Sequence, residues 1–394
     1  MPTLALTLIL SGLSMIGPLG IDTYLPSFPS LAREFAVGPL VVQQTLTAYV
    51  TAFAAMMLFS GTVSDSFGRR PVLLISLLCY ALAAVGAALA PGIGWLIVAR
   101  AVQGMSAGAG VVIGRAVVQD RFEGAAARRV MSHITMVFGL APAIAPVLGG
   151  WLQAALGWRS VFVFLALFGC GMGLACWRGL PESLPPAQRH PFHLLTIVRR
   201  YLHVGFDASF MTMALGLGFV YSGIPLYIGS AASFVMTILH LPETAFAWLF
   251  VPLVGGLMLG AMVAARRAGT TGARQMIRLG YLVMFASVAL NCGYTALLPA
   301  RLPWAVLPLF GYGFGLALAG PSMTVLALSL YPQMRGLAAS LQGFLQMMIF
   351  ALVSGFVAPL VFDSAARLAF CHLAGLALSL VLWRRGSRRV ACGH

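Results

Sequence analysis

Lysine is absent from the 394 residues, and Asp and Glu together number nine against 24 basic side chains, which are therefore all Arg. Charged residues make up 8% of the chain and hydrophobic ones 60%, with a mean hydropathy of +0.94. An ordinary soluble domain has roughly a quarter of its residues charged, so a soluble globular protein is excluded. The six cysteines are scattered, with no CxxC or Cys/His spacing, which argues against a disulfide framework and against a metal site. There is no HExxH, no acidic pair and no Gly-rich nucleotide loop with Lys, so neither an enzyme nor a cofactor is expected, and no P-loop supports an ATP-driven pump. Met1 is not followed by a basic leader region, and the first apolar run continues into Tyr24, Pro26 and Pro29, as a retained first helix does.

What the chain has in abundance is apolar length. A hydrocarbon core ~30 Å thick takes about 20 residues of helix rising ~1.5 Å each. Twelve runs meet that requirement. In the first half they are Leu4 to Phe28, Leu40 to Phe59, Val72 to Ala90, Trp95 to Val118, Val130 to Leu156 and Ser160 to Trp177. In the second they are Val204 to Tyr227, Ala245 to Ala265, Met276 to Leu298, Trp304 to Leu330, Leu337 to Val361 and Ala365 to Trp383. The predicted fold is an all-α polytopic membrane protein of twelve transmembrane helices in two pseudo-symmetric six-helix bundles.

The net charge of +15 invites a nucleic-acid partner until the arginines are placed. Assigning loops alternately puts Arg69, Arg70, Arg115, Arg121, Arg128, Arg129, Arg199, Arg200 and the tail arginines on one side, leaving Arg33, Arg159, Arg301 and Arg367 on the other. Arg-rich short loops stay in the cytoplasm. Both termini are therefore expected there, the partner is the bilayer, and no nucleic acid is involved. The polar, proline-bearing stretch after the sixth run divides the chain into an N-terminal bundle (1–178), a cytoplasmic linker (179–203) and a C-terminal bundle with a short tail (204–394). A weak repeat agrees: Gly61, Asp65, Gly68-Arg69-Arg70 after the second run is echoed by Gly260, Ala264, Arg266-Arg267 after the eighth. Duplicated halves with a site near the midplane are a common transporter plan.

Most of the acids fall at helix ends or in loops, but Asp22 lies inside the first run. A charge there costs at least ~2.5 kcal/mol, so it needs a partner, a wet cavity or a proton. Arg100 is the one Arg similarly enclosed. A static Asp22–Arg100 pair is one reading; the other makes Asp22 the proton carrier, loaded and emptied as contact with Arg or water comes and goes. In the loop from Gly61 to Pro71, the glycines allow a tight turn and Asp65 is expected to pair with Arg115 at a neighbouring helix end. Pro142, Pro146, Gly149 and Gly150 on the fifth run predict a bend and a closely packed face. Tyr24, Gln44, Tyr49, Gln103, Tyr221 and Trp248 are the candidate substrate contacts, offering hydrogen bonds and stacking faces.

The loop from Gly61 to Pro71 resembles the signature loop of the major facilitator superfamily, and Asp22-Thr-Tyr-Leu-Pro26 with Pro29 resembles the first helix of its bicyclomycin and chloramphenicol resistance exporters. Arg100-Ala-Val-Gln103-Gly104 is similar to the fourth-helix Arg-x-x-Gln-Gly motif, and Ala141-Pro142 to Gly149-Gly150 to the fifth-helix antiporter motif. Arg335-Gly336 to Gly343-Phe344 carries the likeness into the second half. Ala145 stands where the wider antiporter motif has Gly, and Ser66 where a basic residue is usual. The resemblance implies a proton-coupled exporter of small drug-like molecules in a bacterial inner membrane, acting as a monomer on a small-molecule substrate and protons. A major facilitator transporter of a physiological metabolite is the alternative. A channel would need a pore-lining ring or filter, and the duplicated halves with one buried acid favour a carrier.

Overall fold

A computed structural model describes residues 2–189, 194–267 and 270–392. Among these residues every regular element is helical. Eleven helices among the described residues are long and apolar enough to cross a membrane, or twelve when one bent pair is counted as a span. The chain forms two compact units, Met1–Leu194 and Leu195–His394.

In the first unit the helices are α1 (Pro2–Asp22), α2 (Phe28–Glu34), α3 (Pro39–Phe67), α4 (Arg69–Ala88), α5 (Ile93–Arg121), α6 (Gly124–Leu156) and α7 (Trp158–Gly179). The first apolar run is not one continuous helix. α1 stops at Asp22, a 3-10 turn covers Leu25–Ser27, and α2 follows. Pro26 and Pro29 stand in the first positions of these last two pieces. A proline has no N–H to give to the preceding turn, and so the ladder is interrupted beside the one acid inside the span. By contrast, α6 runs through Pro142 and Pro146 without a break.

The second unit comprises α8 (Leu194–Gly205), α9 (Ala208–Val220), α10 (Gly223–Gly229), α11 (Ala247–Arg267), α12 (Ala273–Leu297), α13 (Leu307–Leu328), α14 (Arg335–Leu352), α15 (Ala358–Val361) and α16 (Ala365–Cys392), with π-helical turns at Ser233–Ile238 and Val353–Val357. The single seventh run expected from Val204 to Tyr227 is corrected to several pieces. Val198–Gly205 and Ala208–Val220 meet at 86°. Asp207 makes the corner: its carboxylate accepts from the N–H groups of Ser209 at 2.8 Å and Phe210 at 3.4 Å, satisfying donors that a helix start leaves free. A second interruption separates α9 from α10 at Tyr221–Ser222. It echoes the first unit in sequence, Asp22-Thr-Tyr-Leu-Pro26 against Tyr221-Ser-Gly-Ile-Pro225.

The loop repeat folds differently in its two copies. Gly68 has φ +97°, a region open to glycine, and the chain turns at once so that Arg69 heads α4. The second copy has no glycine there, and Arg266 and Arg267 instead close α11.

Candidate functional site

Among the described residues, Arg100 is the largest fully buried side chain. Its position follows from a close helix contact. Gly104, one turn along α5, lies so near α3 that a methyl group on it would stand 2.1 Å from the Tyr49 carbonyl oxygen. The guanidinium is thereby held 4.2 Å from the Tyr49 ring centroid and 4.8 Å from that of Tyr24, with Phe162 at 5.8 Å. Nη1 donates to Gln103 Oε1 at 2.6 Å, and Nη2 donates to the Gly20 carbonyl at 2.7 Å. Among the described residues no carboxylate is within ion-pair distance of it, so π faces and neutral acceptors take the place of an anion.

Asp22 is 2% exposed, and among the described residues its Oδ1 has no hydrogen-bond partner. The static Asp22–Arg100 ion pair is therefore not formed: Arg100 reaches the main chain two residues before Asp22 instead. Gly149 of α6 packs on the next residue, Thr23, and Gly150 beside it is buried. The acid thus sits in a helix break enclosed by α6. An isolated carboxylate in such a place costs several kcal/mol, which a proton or a returning guanidinium removes.

The expected Asp65–Arg115 pair is also corrected. Asp65 Oδ1 lies 2.5 Å from Arg69 Nη1, within its own turn. Arg69 also donates through Nε to Asp120 at 3.1 Å and through Nη1 to Ser64 Oγ at 2.6 Å. Arg115 instead lines a small cavity with Leu10, Ser14, Ile134 and Thr135. The reason is reach: Gly68 turns the chain so tightly that Arg69 falls back onto the last turn of α3. Gly61 has room around it, its nearest neighbour being Val112 at 3.8 Å from an added methyl. Arg70 donates to the Trp177 carbonyl at 2.6 Å.

Two acids complete this corner that the sequence reading left among the loop residues. Glu182 accepts from the backbone N–H of Arg69 at 3.0 Å and of Arg70 at 3.3 Å, so a carboxylate from the segment after α7 sits on the N-terminus of α4. Asp120 accepts from Arg69 and from Ser183 Oγ at 2.8 Å. The available signal was scarcity, because Asp120 and Glu182 are two of only nine acids in the chain. Spacing alone pairs them with nothing.

Of the candidate substrate contacts, Tyr24, Tyr49 and Gln103 are fully buried and turned to Arg100. Tyr24 also hydrogen-bonds Thr45 Oγ1. Gln44 and Tyr221 are partly exposed, and Trp248 is exposed at the start of α11.

The chain matches the Major Facilitator Superfamily over residues 8–359. It is 30% identical to the bicyclomycin resistance protein homolog of Haemophilus influenzae, over 97% of this chain and 96% of that one. It is 28% identical to multidrug resistance protein D of Escherichia coli, over 86% of this chain and 85% of that one. The fold is similar to the human organic anion transporter TETRAN, with a TM-score of 0.72 at 19% identity, covering 97% of this chain and 99% of that one. A bacterial homologue of the human lysosomal transporter Spinster, in an inward-facing, unoccupied conformation, gives a TM-score of 0.72 at 16% identity over 98% and 96% of the two chains. The chain is a multi-pass transporter of the major facilitator superfamily and belongs to its bicyclomycin-resistance and multidrug-transporter group.

Proposed function

We propose that this transporter exports small drug-like molecules of the phenicol or bicyclomycin kind in exchange for protons, across a bacterial inner membrane, as a monomer with both termini in the cytoplasm. The reading is carried by Asp22, buried at a helix break with Oδ1 unpaired while Arg100 is held on Gly20. In the state with Arg100 on Gly20, a proton on Asp22 removes the cost of its burial. When the break moves, the guanidinium exchanges the Gly20 carbonyl for the carboxylate and the proton leaves. Alternation between the two arrangements ties proton movement to the orientation of the carrier.

The driving force is adequate. One elementary charge crossing ~100 mV releases about 2.3 kcal/mol, and at ~1.4 kcal/mol per factor of ten this supports a roughly fifty-fold gradient of an uncharged solute per proton. The loop at Asp65, Gly68, Arg69, Arg70, Asp120 and Glu182 serves as a clasp at the Arg-rich end of the first unit. Pro142, Pro146, Gly149 and Gly150 keep α6 against the Asp22 break, while Arg115 faces the neighbouring cavity. The resistance proteins to which the chain is related supply the drug-like substrate class. Gln44, Tyr221 and Trp248 are the proposed substrate contacts.

The deciding experiment uses proteoliposomes with an acidic lumen and labelled chloramphenicol outside. Wild type accumulates the drug as protons leave, a protonophore abolishes this, and Asp22→Asn accumulates none while still incorporating into the membrane. Undiminished accumulation by Asp22→Asn overturns the assignment; accumulation indifferent to the pH gradient overturns proton coupling.

A further inference from the structure

The two units hold their broken helices in the same manner with different chemistry. In the first, Arg100 from α5 donates to the Gly20 carbonyl near the end of α1, and the Phe162 ring of α7 packs beside the guanidinium. In the second, Tyr312 from α13 donates to the Val220 carbonyl at the end of α9 at 2.8 Å. The ring beside it is His372 of α16, edge-on with centroids 4.3 Å apart and planes at 88°. At the break itself Asp22 is replaced by Tyr221. The acid of the first unit therefore has no counterpart, and an imidazole stands where the first unit has a phenyl ring.

His372 is 1% exposed, and among the described residues neither Nδ1 nor Nε2 has a hydrogen-bond partner. A neutral imidazole brings one N–H and one lone pair, and leaving either unsatisfied in a buried place carries a desolvation cost. Phenylalanine fills the same role in the first unit without that cost. We propose that His372 is a second proton-binding site, serving the break between α9 and α10; the inference rests on the proton-exchange reading above.

The surroundings define how it works. From α10 the ring meets Tyr227, with centroids 5.8 Å apart, and Gly223, on which an added methyl would stand 2.2 Å from Nε2. From α13 it meets Tyr312. Asn291 of α12 donates to Tyr227 Oη at 2.9 Å. Cys292 and Cys371 lie beside Tyr227, and Tyr221 and Tyr281 lie near Tyr312. Phenols and thiols are thus the titratable groups around the ring, and no Asp or Glu is within ion-pair distance of it among the described residues. A proton from water adds to the ring lone pair and gives an imidazolium with two N–H donors. The break offers an acceptor in the Val220 carbonyl, which Tyr312 occupies here. Binding the proton therefore requires the α9–α10 junction to shift, and closing the junction returns the proton to water.

The test is heteronuclear NMR of histidine-labelled protein in nanodiscs, with His372→Gln and His372→Phe to assign the signal, the latter copying the ring of Phe162. The same variants are then measured for protons exchanged per chloramphenicol in proteoliposomes. The expected result is a His372 ring that passes from neutral to doubly protonated as the pH is lowered from about 8 to the acid limit at which the protein stays folded, in wild type and in Asp22→Asn alike, with fewer protons exchanged by both His372 variants. A ring that stays neutral across that range, or His372 variants that exchange as many protons as wild type, overturns the proposal. The NMR titration does not depend on transport, so a failure of the Asp22 assignment is seen separately.

Discussion

Gly149 of α6 lies against Thr23 so closely that a methyl group added to it would stand 1.8 Å from the Thr23 carbonyl oxygen, with backbone rather than a flexible side chain in the way. The break that isolates Asp22 is thus enclosed by a neighbouring helix that carries no side chain at the point of contact. Gly149→Ala must push α6 off the break. Overpacking of this kind costs about 1–3 kcal/mol. The expected outcome is a lower melting temperature in detergent together with proton exchange that no longer requires the drug; normal melting and tight coupling would show that the contact is incidental.

Arg100→Lys keeps the charge and loses the geometry. An ammonium on a flexible stem cannot bridge Gln103 Oε1 and the Gly20 carbonyl while lying flat between Tyr24 and Tyr49. Drug accumulation should fall by about tenfold or more, corresponding to ~1.4 kcal/mol or more of lost interaction. Wild-type accumulation by this variant would reduce Arg100 to a buried positive charge.

Glu182→Gln removes the charge on the α4 N-terminus and retains a partial acceptor. An anion there is worth about 0.3–1 kcal/mol, more when partly buried. The segment carrying Ser183 and Leu184, whose N–H groups also donate to Glu182, should become more sensitive to limited proteolysis, with transport slowed but not abolished. Unchanged cleavage would dismiss the clasp.

Gly68→Ala confronts both a positive φ and the Glu182 carboxylate, 2.6 Å from the added carbon. The cost is expected at about 1–3 kcal/mol. Combining it with Glu182→Gln should cost less than the two separately, because they share one contact; strict additivity in thermal unfolding would contradict this.

Tyr331, in the turn between α13 and α14, donates to Asp207 Oδ2 at 2.8 Å. Burial, and then the hydrogen bond and negative charge of Asp207, push its phenol up to about 12. The neutral form is the one the fold favours, so its contribution to stability is fully present below the ordinary phenol value near 10 and is lost as pH rises toward about 12. The ring is substantially solvated, and the effect on stability is correspondingly small. Difference absorbance between wild type and Tyr331→Phe should show one phenolate appearing later than the exposed tyrosines; a phenolate appearing with them would refute the contact.

The apolar runs were legible because burial in lipid forces long, uninterrupted hydrophobicity, and Asp22 was legible because one acid in such a run is conspicuous. The first break was half visible in Pro26 and Pro29, but its location at Asp22 depends on Gly149, which is distant in sequence. The partner of Asp65 could not be read, since several arginines were in principle within reach and only the turn at Gly68 selects Arg69. The right-angled corner at Asp207 was hidden inside an apolar run, where hydropathy averages away a single capping residue. Likewise nothing within the run from Ala365 to Trp383 singles out His372, because the rings that surround it, Tyr227 and Tyr312, come from helices distant in sequence.

Arg100 also bears on how the chain is built. An arginine near the middle of a helix costs at least ~2.5 kcal/mol when that helix meets lipid alone. Gly20, Tyr24 and Tyr49 are all synthesised before it, whereas Phe162 comes later. During biosynthesis α5 must therefore leave the translocon into the company of α1 and α3, with its last aromatic neighbour arriving afterwards, so the charged residue dictates an order of assembly as well as a finished arrangement.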